Sequence, residues 1–171
     1  MTMPRLVFIA IGAFALMAAY PAAAHEYRKG DLTIFHPWAR PTAEGAATGA
    51  AYLSIKNGGA APDKLVSAAS PAAEKVELHE TREENGVMKM RALEGGIDIE
   101  PGASQELKPG GAHIMLIGLK KRLQEGQTIP LTLMLDKAGP IEVEIKVEKR
   151  EPASAAPKHD HDMKGMDRSM H

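Results

Sequence analysis

The clearest pattern in the chain lies near its C-terminal end, where Ile141, Val143, Ile145 and Val147 alternate with Glu142, Glu144, Lys146 and Glu148. A period of two puts the apolar set on one side of a β-strand and the charged set on the other, so this segment predicts a strand with one buried and one wet face. β-prone runs separated by Gly, Pro and Asn precede it from Asp31 onward. They predict strands from Leu32 to His36, Ala51 to Lys56, Lys64 to Ala68, Lys75 to Glu80, Val87 to Ala92, Gln105 to Leu107, His113 to Leu119, Ile129 to Leu135 and Pro140 to Glu148. Short strands at this spacing imply an all-β domain, a sandwich or a Greek-key barrel. Met134 sits inside the apolar run Leu131–Leu135 and reads as core.

Turn signals stand at Asn57-Gly58-Gly59, Glu84-Asn85-Gly86 and Pro109-Gly110-Gly111. The middle one is expected to close a hairpin between the strands that carry His79 and Met90. The pattern fails at both ends. Residues 1–24 read as a secretory signal peptide: a basic start at Arg5, an apolar run from Leu6 to Ala19, and the small residues Ala22 to Ala24 after Pro21. Cleavage there would leave His25 as the first residue and send the protein to the periplasm. The apolar run is too short to span a ~30 Å hydrocarbon core comfortably. From Glu151 the chain turns to Pro, Ala and Ser, then to His, Asp, Lys and Met, with no apolar face to bury, which predicts a linker and a disordered tail. The expected organisation is therefore a signal peptide over 1–24, a domain over 25–150 and a tail over 151–171.

Charge and composition remove several functions. Taking Arg5 from the 21 Lys and Arg leaves 20 against 22 Asp and Glu, without the basic excess that a phosphate backbone requires, so nucleic acid is not an expected partner. There is no cysteine. Disulfides, thiolate zinc sites, c-type haem attachment and blue-copper centres all require Cys sulfur. No Gly-x-Ser-x-Gly elbow, His-Glu-x-x-His helix or phosphate-cradling loop occurs, and His79-Glu80 lacks the second His of a zinc-protease motif.

What remains is methionine and histidine. His113 and Met115 fall at i and i+2 of a predicted strand and share a face. His79 and Met90 flank the hairpin turn on opposite strands, and directly opposed residues there would have Cβ atoms ~5 Å apart. Thioether sulfur selects Cu(I) over hard cations, and imidazole adds affinity. Thioethers also cannot oxidise to a disulfide outside the cytosol. Met88 shares a face with Met90 and reads as a supporting residue or a spare ligand.

The run from His79 to Met90, the later Leu107-Lys-Pro-Gly-Gly-Ala-His-Ile-Met115, and Gly118-Leu-Lys120 with Glu125-Gly126 resemble the periplasmic copper chaperones of the PCuAC family. The likeness runs from about His36 to Glu148. Ten residues separate His79 from Met90 and twenty-two separate Met90 from His113, the second spacer being one longer than the family's usual one. The extra residue is expected near Gly95-Gly96. The resemblance implies a cupredoxin-like β-barrel holding Cu(I) through His79, Met90, His113 and Met115. It also implies a carrier, rather than an enzyme, that delivers copper to an acceptor such as the copper centre of a respiratory oxidase.

In the tail, His159, His161, Met163, Met166, Met170 and His171 fall within thirteen residues and are expected as auxiliary ligands for Cu(I) or Cu(II). Copper buffering uses the same ligands and is the second reading. A third, a copper oxidase, would chelate Cu(II) through the amine and imidazole of His25.

Overall fold

The strongest alternation folds as it reads. Strand β10 (Thr128–Leu135) and strand β11 (Gly139–Val147) form an antiparallel hairpin in register from Thr128↔Lys146 to Leu135↔Gly139. Ile129, Leu131, Leu133 and Leu135 point inward with Ile141, Val143, Ile145 and Val147. The same alternation turns Met134 outward, where it is 41% exposed. Its apolar neighbours signal a buried strand, but the period of two puts Met134 on the opposite side from them, so the core assignment of Met134 is corrected.

The computed structural model describes residues 26–150. Eleven strands follow in chain order, with no helix among the described residues. The first nine are β1 (Glu26–Lys29), β2 (Leu32–Ala39), β3 (Thr48–Asn57), β4 (Asp63–Ala69), β5 (Ala73–Glu84), β6 (Val87–Ala92), β7 (Ile97–Ile99), β8 (Ser104–Leu107) and β9 (Ala112–Leu119). All nine expected strands are present, most of them longer than predicted, and β1 and β7 are additional.

One mixed sheet runs in the order β6-β5-β9-β3-β2-β11-β10-β4-β7, with β1 also paired to β2 and β8 to β3. Its pairings are antiparallel except β11 with β2, where Lys146↔Trp38 and Val147↔Ala39 run parallel. The sheet curls so that β4 packs against β5 and β7 against β3. A single apolar cluster fills the space between, with Ile34, Ile55, Leu65, Ile114, Leu116 and Leu131 among its most enclosed members.

The ten-residue β3 organises the near half. Its first part, Thr48–Ala51, pairs with β9, and Leu53–Lys56 pairs with β8 along the same edge. Strand β2 lies on its other edge, with a bulge at His36-Pro37, where His36 takes φ 47°. Past that bulge Trp38 lies against Tyr52 of β3, ring centroids 4.7 Å apart.

Candidate metal centre

Strands β6, β5 and β9 are neighbours, and their register decides which side chains meet. His79 on β5 stands directly opposite His113 on β9, and Glu77 opposite Met115. On the other edge of β5, His79 faces Ala92 and Thr81 faces Met90. His79, Met90, His113 and Met115 therefore all leave the same face. Leu78, Ile114 and Leu116 leave the other and are buried in the core. His79 and Met90 are diagonal neighbours rather than directly opposed, a spacing of ~7–8 Å that a long thioether side chain spans.

The turn between β5 and β6 consists of Asn85 and Gly86, both at positive φ, 54° and 79°. Two positive φ values are what a tight type I′ hairpin demands, and Asn-Gly is the dipeptide that supplies them at least cost. The hairpin extends beyond the core: every residue of β6 is exposed, with Met88 at 56% and Met90 at 54%. On its opposite face Glu84 pairs with Lys89 at 3.0 Å and with Arg91, and Arg82 with Glu80 at 2.6 Å. Such exposed pairs contribute little each, so turn geometry and backbone pairing carry the hairpin.

Met90, His113 and Met115 line one open depression of about 360 Å³, shared with Arg40, Tyr52 and Thr81. Opposite Met115 on β3 stands Ala50, whose small side chain leaves that wall low. His113 is buried, and its ring contacts Tyr52 at 6.4 Å and His79 at 5.9 Å between centroids. Burial raises the Tyr52 phenol, partly offset by the Arg40 guanidinium 6.0 Å from its ring.

Both histidines are held from behind. His113 Nδ1 lies 3.0 Å from the Gly111 carbonyl, and His79 Nε2 lies 2.8 Å from Glu77 Oε2. The second Glu77 oxygen binds Lys75 Nζ at 2.5 Å. Lys75, and after it His79, hold the Glu77 carboxyl below the usual carboxylate range. His79 Nδ1 is buried with no hydrogen-bond partner among the described residues. A buried nitrogen without a partner fits a missing electrophile, which a metal supplies. Nowhere among the described residues do three His, Cys, Asp or Glu side chains converge, so a metal centre here must draw on methionine.

The structure thus brings His79, Met90, His113 and Met115 to one face. Met88 also lies on it, one pair nearer the hairpin tip, opposite Glu83. His159, His161, Met163, Met166, Met170, His171 and His25 lie outside the described residues. Glu77 and Tyr52 were missed in the sequence. Glu77 carried a signal, two residues before His79 on the same face, whereas Tyr52 arrives through a long-range pairing that no local pattern announces.

The model of the LpqE-like family, described as putative lipoproteins, matches residues 32–147, the stretch from β2 to the end of β11. The chain belongs to this family, whose domain is of the PCuAC type. The apo PCuAC domain from PmoF1 superposes with a TM-score of 0.63 at 29% identity, covering 74% of this chain and 100% of that one. The copper-bound PCuAC domain from PmoF2 gives 0.61 at 27%, with 74% and 99% covered. The solution structure of the CuI form of DR1885 from Deinococcus radiodurans gives 0.56 at 28%, with 77% and 86% covered. The fold is accordingly all-β and cupredoxin-like. A putative lipoprotein of Leifsonia xyli subsp. xyli is 40% identical over 106 residues, 61% of this chain and 64% of that protein. The match therefore spans somewhat less than two thirds of that relative's length.

Proposed function

We propose that the protein is an exported, non-enzymatic copper chaperone that carries Cu(I) as cargo through His79, Met90, His113 and Met115. The observation that carries the reading is the register of β6, β5 and β9, which places two imidazoles and two thioethers on one face beside an open depression. That donor set suits a soft, monovalent d10 cation and suits hard divalent ions poorly. PCuAC domains solved with copper support the choice of metal. The signal-peptide pattern of residues 1–24 supports a periplasmic location, and the acceptor in this reading has the chemistry of an oxidase copper centre. The His and Met residues of 159–171 serve as an auxiliary copper-binding element.

Exposure sets the order of ligand exchange. Met90 is 54% exposed on β6, the edge strand of the sheet among the described residues, while His113 is 4% exposed. An incoming thiolate or imidazole displaces Met90 first and His113 last, so copper passes between proteins without entering solution. The test mixes the Cu(I)-loaded protein with a soluble apo fragment bearing a dinuclear copper site and compares the transfer rate with release to solvent. Transfer faster than release is expected. Transfer limited by release would make the protein a copper store, and no Cu(I) uptake at all would overturn the metal assignment.

A further inference from the structure

The two site histidines are held by different kinds of contact. His113 Nδ1 lies 3.0 Å from the carbonyl oxygen of Gly111, a group that accepts hydrogen bonds and never donates one. In the neutral ring the proton on His113 is therefore on Nδ1, leaving the Nε2 lone pair free. His79 is held through its other nitrogen, with Nε2 2.8 Å from Glu77 Oε2. An ionised carboxylate is likewise acceptor-only, so a neutral His79 ring carries its proton on Nε2 and its lone pair on Nδ1. That Nδ1 is the buried side-chain atom left without a hydrogen-bond partner.

Glu77 is itself fixed. Its Oε1 is bound by Lys75 Nζ at 2.5 Å while its Oε2 takes His79, and Lys75, Glu77 and His79 follow one another along one face of β5. A carboxylate with both oxygens engaged cannot swing away from the imidazole. The neighbour on the next strand, His113, meets the His79 ring edge-on at 64°.

We infer that Glu77 is a positioning residue that locks His79 to present Nδ1 to the metal, while Gly111 locks His113 to present Nε2. The inference rests on the copper-site reading above. A carboxylate or carbonyl behind a ligating imidazole orients the ring, and losing such a partner typically costs ~10–100-fold in metal affinity. The opposite attachment of the two rings gives the pair a handed arrangement, with one imidazole reaching the ion through its near nitrogen and the other through its far one.

The test reads imidazole nitrogens directly by long-range ¹H–¹⁵N spectroscopy of the full chain, first without metal. His79 is expected to show a protonated Nε2 and a bare Nδ1, and His113 the reverse. Titration with Ag(I), a redox-inert stand-in for Cu(I), against a competing chelator should then shift His79 Nδ1 and His113 Nε2. Reading the shift at these residues keeps ligands elsewhere in the chain from obscuring it. Glu77→Ala should lose the slowly exchanging His79 Nε2 proton and raise the Ag(I) needed for half-saturation by ~10–100-fold. Glu77→Gln keeps an acceptor oxygen and should retain both signals. A bare His79 Nε2 in the metal-free protein, Ag(I) shifting Nε2, or Glu77→Ala indistinguishable from wild type would overturn the inference. Absence of any Ag(I) shift at His79 and His113 in the wild type would instead sink the copper-site reading.

Discussion

Replacing Met90 by Ala separates binding from folding more cleanly than any other change at the site. Met90 is 54% exposed, on a strand whose six residues are all exposed. Full burial of such a side chain is worth about 1.5–3 kcal/mol, so the half that is covered contributes about 0.7–1.4 kcal/mol. For a domain of this size that is a melting shift of only ~2–7 °C. The copper term is much larger. Loss of an outer partner already costs ~10–100-fold, and a direct ligand should exceed the upper end of that range, a penalty of about 2.7 kcal/mol or more. Met134→Ala is the matched control, since Met134 is 41% exposed and stands on β10, away from the three site strands. Thermal melts and competition against a colorimetric Cu(I) chelator, run on both variants, should give similar small stability losses but a large affinity loss only for Met90→Ala. Equal copper retention in the two variants would refute the assignment of Met90 as a ligand.

Other changes probe the scaffold. Asp63 accepts backbone hydrogen bonds from Lys64 at 2.7 Å, Lys137 at 2.9 Å and Ala138 at 3.0 Å, clamping the start of β4 to the β10–β11 turn. Burial alone would raise its carboxyl, but the three N–H groups and the Lys137 charge outweigh it and hold the group below its ordinary value. With the folded value depressed, the stability Asp63 lends is complete above the ordinary carboxylate range and disappears as pH falls through the folded value. Asp63→Ala should cost about 3 kcal/mol at neutral pH, from three N–H groups left without their acceptor at ~1 kcal/mol each. Melts between neutral and strongly acidic pH should show Asp63→Asn with a shallower acid slope than wild type. Gly96→Ala should be worse tolerated than an ordinary surface change, because φ is 75° and the added Cβ would lie 2.5 Å from the Leu65 carbonyl oxygen. A loss above about 1 kcal/mol in denaturant titration is expected, and a neutral result would show that this turn can relax.

Much of the fold was legible because it is written in period two. Strand β6 has the predicted bounds, Val87–Ala92, and Asn85-Gly86 makes the expected hairpin. Strand β1 was hidden because Glu26–Lys29 has no apolar alternation, existing through its pairing with β2 and through Tyr27, whose hydroxyl accepts the Glu144 N–H. Strand β7 is three residues long and is defined by its partner β4. Gly95-Gly96, where the extra residue is expected, lies in a turn between β6 and β7, and Gly96 there is confined by Leu65. The residue types of the proposed site could be read from residue chemistry. Their convergence could not, because His79↔His113 depends on β5 choosing β9 as its neighbour, a long-range pairing set by the whole sheet.

On β5 and β9 the proposed site lies on the outer face of strands whose inner face is the core. Along β9, His113 and Met115 look outward while Ile114 and Leu116, both 0% exposed, look inward. These two strands therefore carry two messages on alternate letters, one addressed to the proposed metal site and one to the fold. Either can be rewritten with little disturbance of the other, so a lineage built on this sheet is free to exchange thioethers for other donors, and thereby change its cargo, without having to solve the folding problem again.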